Sequence, residues 1–301
     1  MCGVIGLLIR DPALEPELGR MLVPMVEALA ERGPDSSGIA LYSRRAADPD
    51  GEPIIQVSLG TDETVAWDDL AAWVSSRFPT AGVGVSGSGA RVDLPETTVD
   101  ELVESVGQMW PSVHVFGTGR MLTVVKDTGP PEDTCRRYGV EAWSGHLAVA
   151  HTRMATESAV TARHAHPFVP GPDLCVVHNG SFSNHASVRR RLEGDGVRFD
   201  SDNDSEVAAR LLAQHLMSGD DLDEATRWVM KEMDGFFTLV VGTATGMSVV
   251  RDAFACKPAA VAVTDAYVAV ASEYRALAGL PGVEQAQIFE PQPEVVYTWT
   301  L

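Results

Sequence analysis

A cysteine stands second in the chain, in the run Met1-Cys2-Gly3. Removal of the initiator methionine is expected before so small a residue, and it would leave a thiol and a free α-amine on one residue. An α-amine titrates near about 8, so at neutral pH a useful fraction can take the thiol proton, directly or through a water. Acyl transfer through such a thiol builds an oxyanion that needs fixed donors, and Asn179-Gly180 offers a side-chain amide beside a backbone N–H. Arg153 is suited to grip a carboxylate bidentately and Asp204 to hold an ammonium, a pairing useful for a free amino acid. Each feature also has a plainer reading. Cys2 would simply open a buried strand, Asn-Gly would be a hairpin turn, and Arg153 would be a surface ion pair. Asn203 or Asp204 would cap a helix, with Glu206 placed to complete a capping box.

The elements that must position these groups can be read from periodicity. Residues 2–9 form an apolar strand, and in residues 15–32 Leu18, Met21, Leu22, Met25, Val26 and Leu29 recur at helical spacing. Gly33-Pro34 stops that helix, and residues 35–38 form a turn-holding loop before a short strand at 39–42. Strand-like runs return at 147–151, 174–178, 236–242, 247–251, 260–263 and 267–271, with helical stretches at 186–193, 205–217 and 222–233. Tight turns such as 242–246 favour antiparallel pairing, so the expected class is α+β, two antiparallel sheets with helices outside. Residues 61–119 change character. Two helical patterns there (Trp67, Leu70, Val74; Val99, Leu102, Val103, Val106) flank the glycine-rich run 81–89, which predicts a small inserted α/β subdomain. The glycine run lacks the ending of a P-loop and the spacing of a dinucleotide fingerprint, so a flexible or close-packed loop is expected.

Composition narrows the function classes. With 301 residues and 45% apolar content the chain can fill a sizeable core. Its 23 Lys and Arg against 42 Asp and Glu give a formal charge of -19, which disfavours nucleic acid and anionic lipid surfaces. No apolar run reaches the roughly 20 residues of a membrane span, and no signal peptide is expected. Cys2, Cys135, Cys175 and Cys256 form no CxxC pair, consistent with a reducing cytoplasm. His151 and His178 beside the motif residues are expected to be hydrogen-bonded supports. His164-Ala165-His166 lacks the company a zinc site needs, so no metal is expected.

Four further runs follow Met1-Cys2-Gly3 in order: residues 31–38 (Glu-Arg-Gly-Pro-Asp-Ser-Ser-Gly), 151–156 (His-Thr-Arg-Met-Ala-Thr), 177–180 (Val-His-Asn-Gly) and 203–207 (Asn-Asp-Ser-Glu-Val). Together they resemble the class II glutamine amidotransferase domain, an N-terminal-nucleophile hydrolase, over about 2–59 and 120–280. Arg251-Asp252, Lys257-Pro258 and Ser272-Glu273 are similar to its closing strands. The resemblance implies a four-layer αββα sandwich over 2–301 carrying the 61–119 insert. It implies Cys2, Asn179 and Gly180 as catalytic groups, and Arg153, Asp204, Arg32, Asp35, Ser36, Thr156 and His178 as groups binding L-glutamine. The segment 33–38 resembles one that lies over the glutamine pocket and is expected to close on it when a partner binds. Met154 stands where many members have tryptophan, which removes that residue's gating role. The implied reaction needs no cofactor in this chain. The motif wording is closest to separately encoded amidotransferase subunits of glutamate-synthase-like and N-methylglutamate-synthase systems, whose partner synthase subunit is associated with flavin (FMN) and an iron–sulfur cluster. Two other readings stand beside it: an N-terminal-nucleophile hydrolase cutting another amide, and a catalytically silent glutamine-binding regulatory subunit.

Overall fold

The computed structural model describes residues 2–44, 53–155 and 159–301. The first half of the chain runs β1 (Gly3–Ile9), α1 (Leu18–Ala28), β2 (Ser36–Tyr42), β3 (Ile54–Thr61), α2 (Trp67–Arg77), β4 (Gly82–Ser86), β5 (Gly89–Pro95), α3 (Val99–Met109), β6 (Val113–Gly119), β7 (Leu122–Thr128) and α4 (Pro131–Arg137). The second runs β8 (Leu147–Arg153), β9 (Phe168–Gly171), β10 (Leu174–Phe182), α5 (His185–Gly194), α6 (Asp204–Met217), α7 (Leu222–Glu232), β11 (Gly235–Thr243), β12 (Gly246–Arg251), β13 (Ala260–Val263), β14 (Tyr267–Ala271), β15 (Gln287–Phe289) and β16 (Tyr297–Thr300).

Seven strands form an antiparallel sheet in the order β15-β13-β14-β1-β8-β2-β7, and five form a second in the order β16-β12-β11-β10-β9. Between them Val4 and Leu8 of β1 meet Cys175, Val177, Val240 and Val249. On the other face of β1, Ile5, Leu7 and Ile9 pack on Leu18, Leu22 and Met25 of α1. Burial on both faces is why β1 reads as an unbroken apolar run rather than an alternation, and each such Leu or Ile contributes about 1.5–3 kcal/mol. The helices α5, α6 and α7 cover the outer face of the second sheet through Leu192, Leu211, Leu212 and Val229. The result is the four-layer sandwich. Among the described residues no helix is long and apolar enough to cross a membrane.

The insert has its own four-stranded sheet, β4-β5-β3-β6, packed on α2 and α3 around Leu70, Val74, Val92 and Leu102. It begins with β3 at Ile54, ahead of the expected start near 61. The glycine-rich run is also not the loop expected of it. It is the hairpin β4–β5, in which Val83 faces Val92 and Val85 faces Ala90; the intervening glycines hide an alternation of period two. The insert is pinned to the sandwich at its exit, where the Asp173 carboxylate accepts from the backbone N–H groups of Arg120, Met121 and Leu122 at 2.9, 2.9 and 3.0 Å. Residues 15–32 differ in detail. Only Leu18–Ala28 is α-helical, and 3₁₀ turns flank it at Pro12–Glu17 and Ala30–Arg32. Pro16 lies in the first of these turns, where it has no N–H to give.

Candidate active site

Cys2 stands at the head of β1, with its Sγ 3.7 Å from the Met154 carbonyl oxygen. Its own carbonyl oxygen receives two side-chain donors, Arg32 Nε at 3.1 Å and Asn179 Nδ2 at 3.1 Å. Arg32 is buried and pairs with Glu273 at 2.5 Å. The hydrogen bond from Arg32 holds the Glu273 carboxyl below its usual range. One residue earlier, Ser272 Oγ accepts from Val4 N at 2.9 Å while Ser272 N donates to Val4 O at 3.0 Å. The end of β14 and the 3₁₀ turn at Arg32 thus fix the peptide of the nucleophile.

Beside Cys2 lies a cavity of about 300 Å³ whose walls include Arg153, Met154, His178, Gly180 and Asp204. Arg153 ends β8 and donates from Nη1 to the Ala159 carbonyl at 2.9 Å. Gly180 has φ +150, and a Cβ there would fall 1.8 Å from the Phe236 carbonyl oxygen, so no other residue fits this close crossing of β10 and β11. Asp204 opens α6 without capping it. The Asn203 side chain takes the cap by accepting from Ser205 N at 2.9 Å. Asp204 is left to accept from Phe182 N at 2.8 Å and from Ser205 Oγ at 3.2 Å, which anchors a carboxylate with lone pairs to spare. Glu206 does not complete a capping box; it accepts from Asp200 N and Ser201 N at 2.8 and 2.7 Å.

Three buried histidines stand behind the cavity. The His151 and His166 ring centroids are 4.2 Å apart, and His178 stacks on Phe182 at 4.3 Å. His178 Nδ1 lies 2.7 Å from Ser205 Oγ, which itself donates to Asp204, so this nitrogen carries the proton. His151 Nε2 donates to the His178 carbonyl at 3.0 Å. Burial drives all three rings toward the neutral form: His151 is pushed down to about 3, His166 well below its ordinary value, and His178 is lowered as well. Among the described residues no group of His, Cys, Asp or Glu is arranged to hold a metal ion.

Of the residues singled out from sequence, the structure brings Cys2, Arg153, His178, Gly180 and Asp204 onto one cavity, with the Asn179 amide directly behind Cys2. Arg32, Asp35 and Ser36, expected to bind substrate, do not line it. Arg32 is committed to Cys2 O and Glu273. Asp35 accepts from Ala155 N at 2.8 Å, and its own N donates to Arg153 O at 3.0 Å. Ser36 is fully buried in β2, opposite Arg153. The segment 33–38 is therefore not a free flap. Ser36–Tyr42 is strand, and a Cβ on Gly33 would lie 2.2 Å from the Thr152 carbonyl carbon, so the chain is pressed against β8. Thr156 and Met1 lie outside the described residues. The sequence reading did not foresee His166, His185 or Asp202 in the cavity wall. His166 was noticed only as half of a zinc-like pair, and its place in the wall depends on the turn into β9.

A cysteine heading a central strand of an αββα sandwich, facing a cation and an anion across one cavity, defines an N-terminal-nucleophile hydrolase. Comparison with known proteins refines this. A family model described as "Glutamine amidotransferase domain" matches residues 151–279. The glutamine amidotransferase-like protein GlxB of Rhizobium meliloti is 42% identical over 99% of this chain and 98% of its own. A protein of Methanothermobacter thermautotrophicus named for the same class is 30% identical over 99% of either chain. In fold, the chain matches the glutamine phosphoribosylpyrophosphate amidotransferase from B. subtilis with a TM-score of 0.61 and 18% identity, over 99% of this chain and 49% of that one. This chain thus spans about half the length of that structure's chain. The chain belongs to the class II glutamine amidotransferases, enzymes whose substrate is glutamine.

Proposed function

We propose that this chain hydrolyses the side-chain amide of L-glutamine through a γ-glutamyl thioester on Cys2. The observation that carries the reading is that Cys2, Arg153 and Asp204 line one cavity. Arg153 takes the α-carboxylate and Asp204 the α-ammonium, which brings the amide to Cys2. The thiol proton passes to the α-amine that removal of Met1 exposes, and the sulfur attacks the amide carbon. Asn179 gives one amide N–H to Cys2 O and has a second for the oxyanion, next to Gly180. Collapse expels ammonia, which leaves with the transferred proton. Water then cleaves the thioester to glutamate and restores the thiol.

The ammonia acceptor is assigned to a separate synthase subunit of the glutamate-synthase-like or N-methylglutamate-synthase-like kind, a reading supported by the likeness to GlxB over 98% of that protein's length. Cys135 and Cys175 lie in different cores and Cys256 on the surface, so these thiols do not converge on an iron–sulfur cluster. Such a cluster, and FMN with it, is assigned to the partner. The test is ammonia release from free glutamine, from a glutaminyl peptide and from simple acyl amides, with the chain and with Cys2→Ala. Turnover of free glutamine alone, lost in Cys2→Ala, is the expected result. Cleavage of acyl amides without glutamine would make it an amidohydrolase of another kind. Glutamine binding without turnover, in a chain shown by mass to begin at Cys2, would make it a regulatory subunit.

A further inference from the structure

A second cavity, of about 340 Å³, lies on the seam between the insert and the sandwich, walled by α3 and β6 on one side and by β9 and the first turns of α6 on the other. Lys126 of β7 reaches it. This lysine is 4% exposed, and its ammonium sits 5.1 Å from the ring centroids of both Phe116 and Phe168. No hydrogen bond or ion pair to that ammonium is present among the described residues. Arg163, half-buried on the same cavity, likewise shows no acceptor for its guanidinium among them. The carboxylates nearby are already engaged. Asp200 pairs with Arg210 at 2.7 Å. Glu206 pairs with Arg210 at 3.2 Å and accepts from Asp200 N, Ser201 N and Ser201 Oγ.

Two cations without an acceptor among the described residues, Lys126 and Arg163, stand out on one cavity in a chain of formal charge -19. A buried ammonium without an acceptor is costly to keep; burial accordingly pushes Lys126 down to about 7. An anion entering the cavity would return the missing partner. The rest of the lining says what kind. Val103, Val106 and Val169, with the two phenyl rings, give the same cavity an apolar lining. This suits a short hydrocarbon stem better than a fully hydrated tetrahedral ion. Lys126 also borders a space of about 420 Å³ on its other side, but the cation there, Arg91, is paired with Asp93 at 3.1 Å.

We propose that the seam cavity binds a small dicarboxylate, one carboxylate on Lys126 and the other on Arg163, with its apolar stem against the valines. The site stands apart from the glutamine reaction but shares a wall with it. Asn203, Asp204 and Ser205 face the Cys2 cavity, while Glu206 and Arg210 of the same helix face the seam. An occupant therefore bears on the placement of Asp204 and so on glutamine affinity. That consequence rests on the glutaminase reading; binding itself does not.

The experiment is calorimetric titration of the full chain, its Cys2 first capped by a general thiol alkylating agent so that the cavity beside it is closed to the probe whatever its substrate. The probes are glutarate and, separately, inorganic phosphate. Glutarate is expected to bind at one site, and at least about tenfold more weakly to Lys126→Met and to Arg163→Gln. Arg163 is at the half-buried rim, so its variant reports even where Lys126→Met disturbs folding. Absence of saturable glutarate binding up to about 10 mM, wild-type affinity in either folded variant, or binding of phosphate without glutarate would overturn the proposal.

Discussion

Glu273→Gln keeps the size of the side chain that steadies Arg32 and removes its charge. Arg32 is 8% exposed and Glu273 31%. The pair thus falls between a buried one, where loss of one partner costs about 3–5 kcal/mol, and a surface one worth about 0–1 kcal/mol. A loss of about 1–3 kcal/mol is expected, screened by the solvent that reaches Glu273. At roughly 2–4 °C per kcal/mol this lowers Tm by several degrees. The second consequence is catalytic. With Arg32 no longer held, Cys2 O keeps only Asn179, and a displacement of the nucleophile on the order of 1 Å costs about 10²-fold in turnover. The pH signature separates the pair from mere packing. Because the native carboxyl is held below its usual range, the unfolded chain binds more protons than the native one at low pH. The contribution is complete above the unfolded value of about 4.3 and is lost as pH falls through the lowered native value. The assays are thermal melts as a function of pH, ammonia release, and the alkylation rate of Cys2 at neutral pH. A Glu273→Gln chain that alkylates and turns over like the wild type, or whose melts keep the wild-type pH dependence at low pH, would refute the reasoning.

Asn179→Ala should lower kcat by about 10²–10³ with little change in KM, because an oxyanion donor acts in the transition state; Asp204→Asn should chiefly raise KM, and steady-state kinetics with the two patterns exchanged would reverse the assignments. Gly180→Ala should destabilise by about 3–5 kcal/mol, since its Cβ meets the Phe236 carbonyl at 1.8 Å; an unchanged urea midpoint would contradict that crossing of strands. His151, His166 and His178, kept neutral by burial, take up protons only on unfolding. Stability should therefore fall as pH drops below about 6.5, by about 1.4 kcal/mol per pH unit for each ring. Urea unfolding that is flat between about pH 5 and 6.5 would mean that the rings titrate in the native state.

What could be read from the sequence was whatever depends on neighbouring residues. Apolar runs and helical spacing located β1, β8, β10 to β14 and α5 to α7, because burial on one or two faces writes itself into residue order. Cys2 at the chain's head, and the motif pairs around Asn179, Arg153 and Asp204, named the chemistry, since a nucleophile, an oxyanion donor and a pair of opposite charges are recognisable by type. Tertiary structure decided which side chains were free to act. Asn203 took the helix cap and released Asp204 for the cavity. Arg32 went to the peptide of Cys2 and to Glu273, a partner 241 positions away. Residues 36–38 of the segment 33–38, whose composition reads as a loop, became strand because β7 and β8 offered them a ladder on both sides. His166 and Lys126 had no local signal at all. Their burial arises only where β7, β9 and the insert are packed together, and a contact made across that distance leaves no period in the sequence.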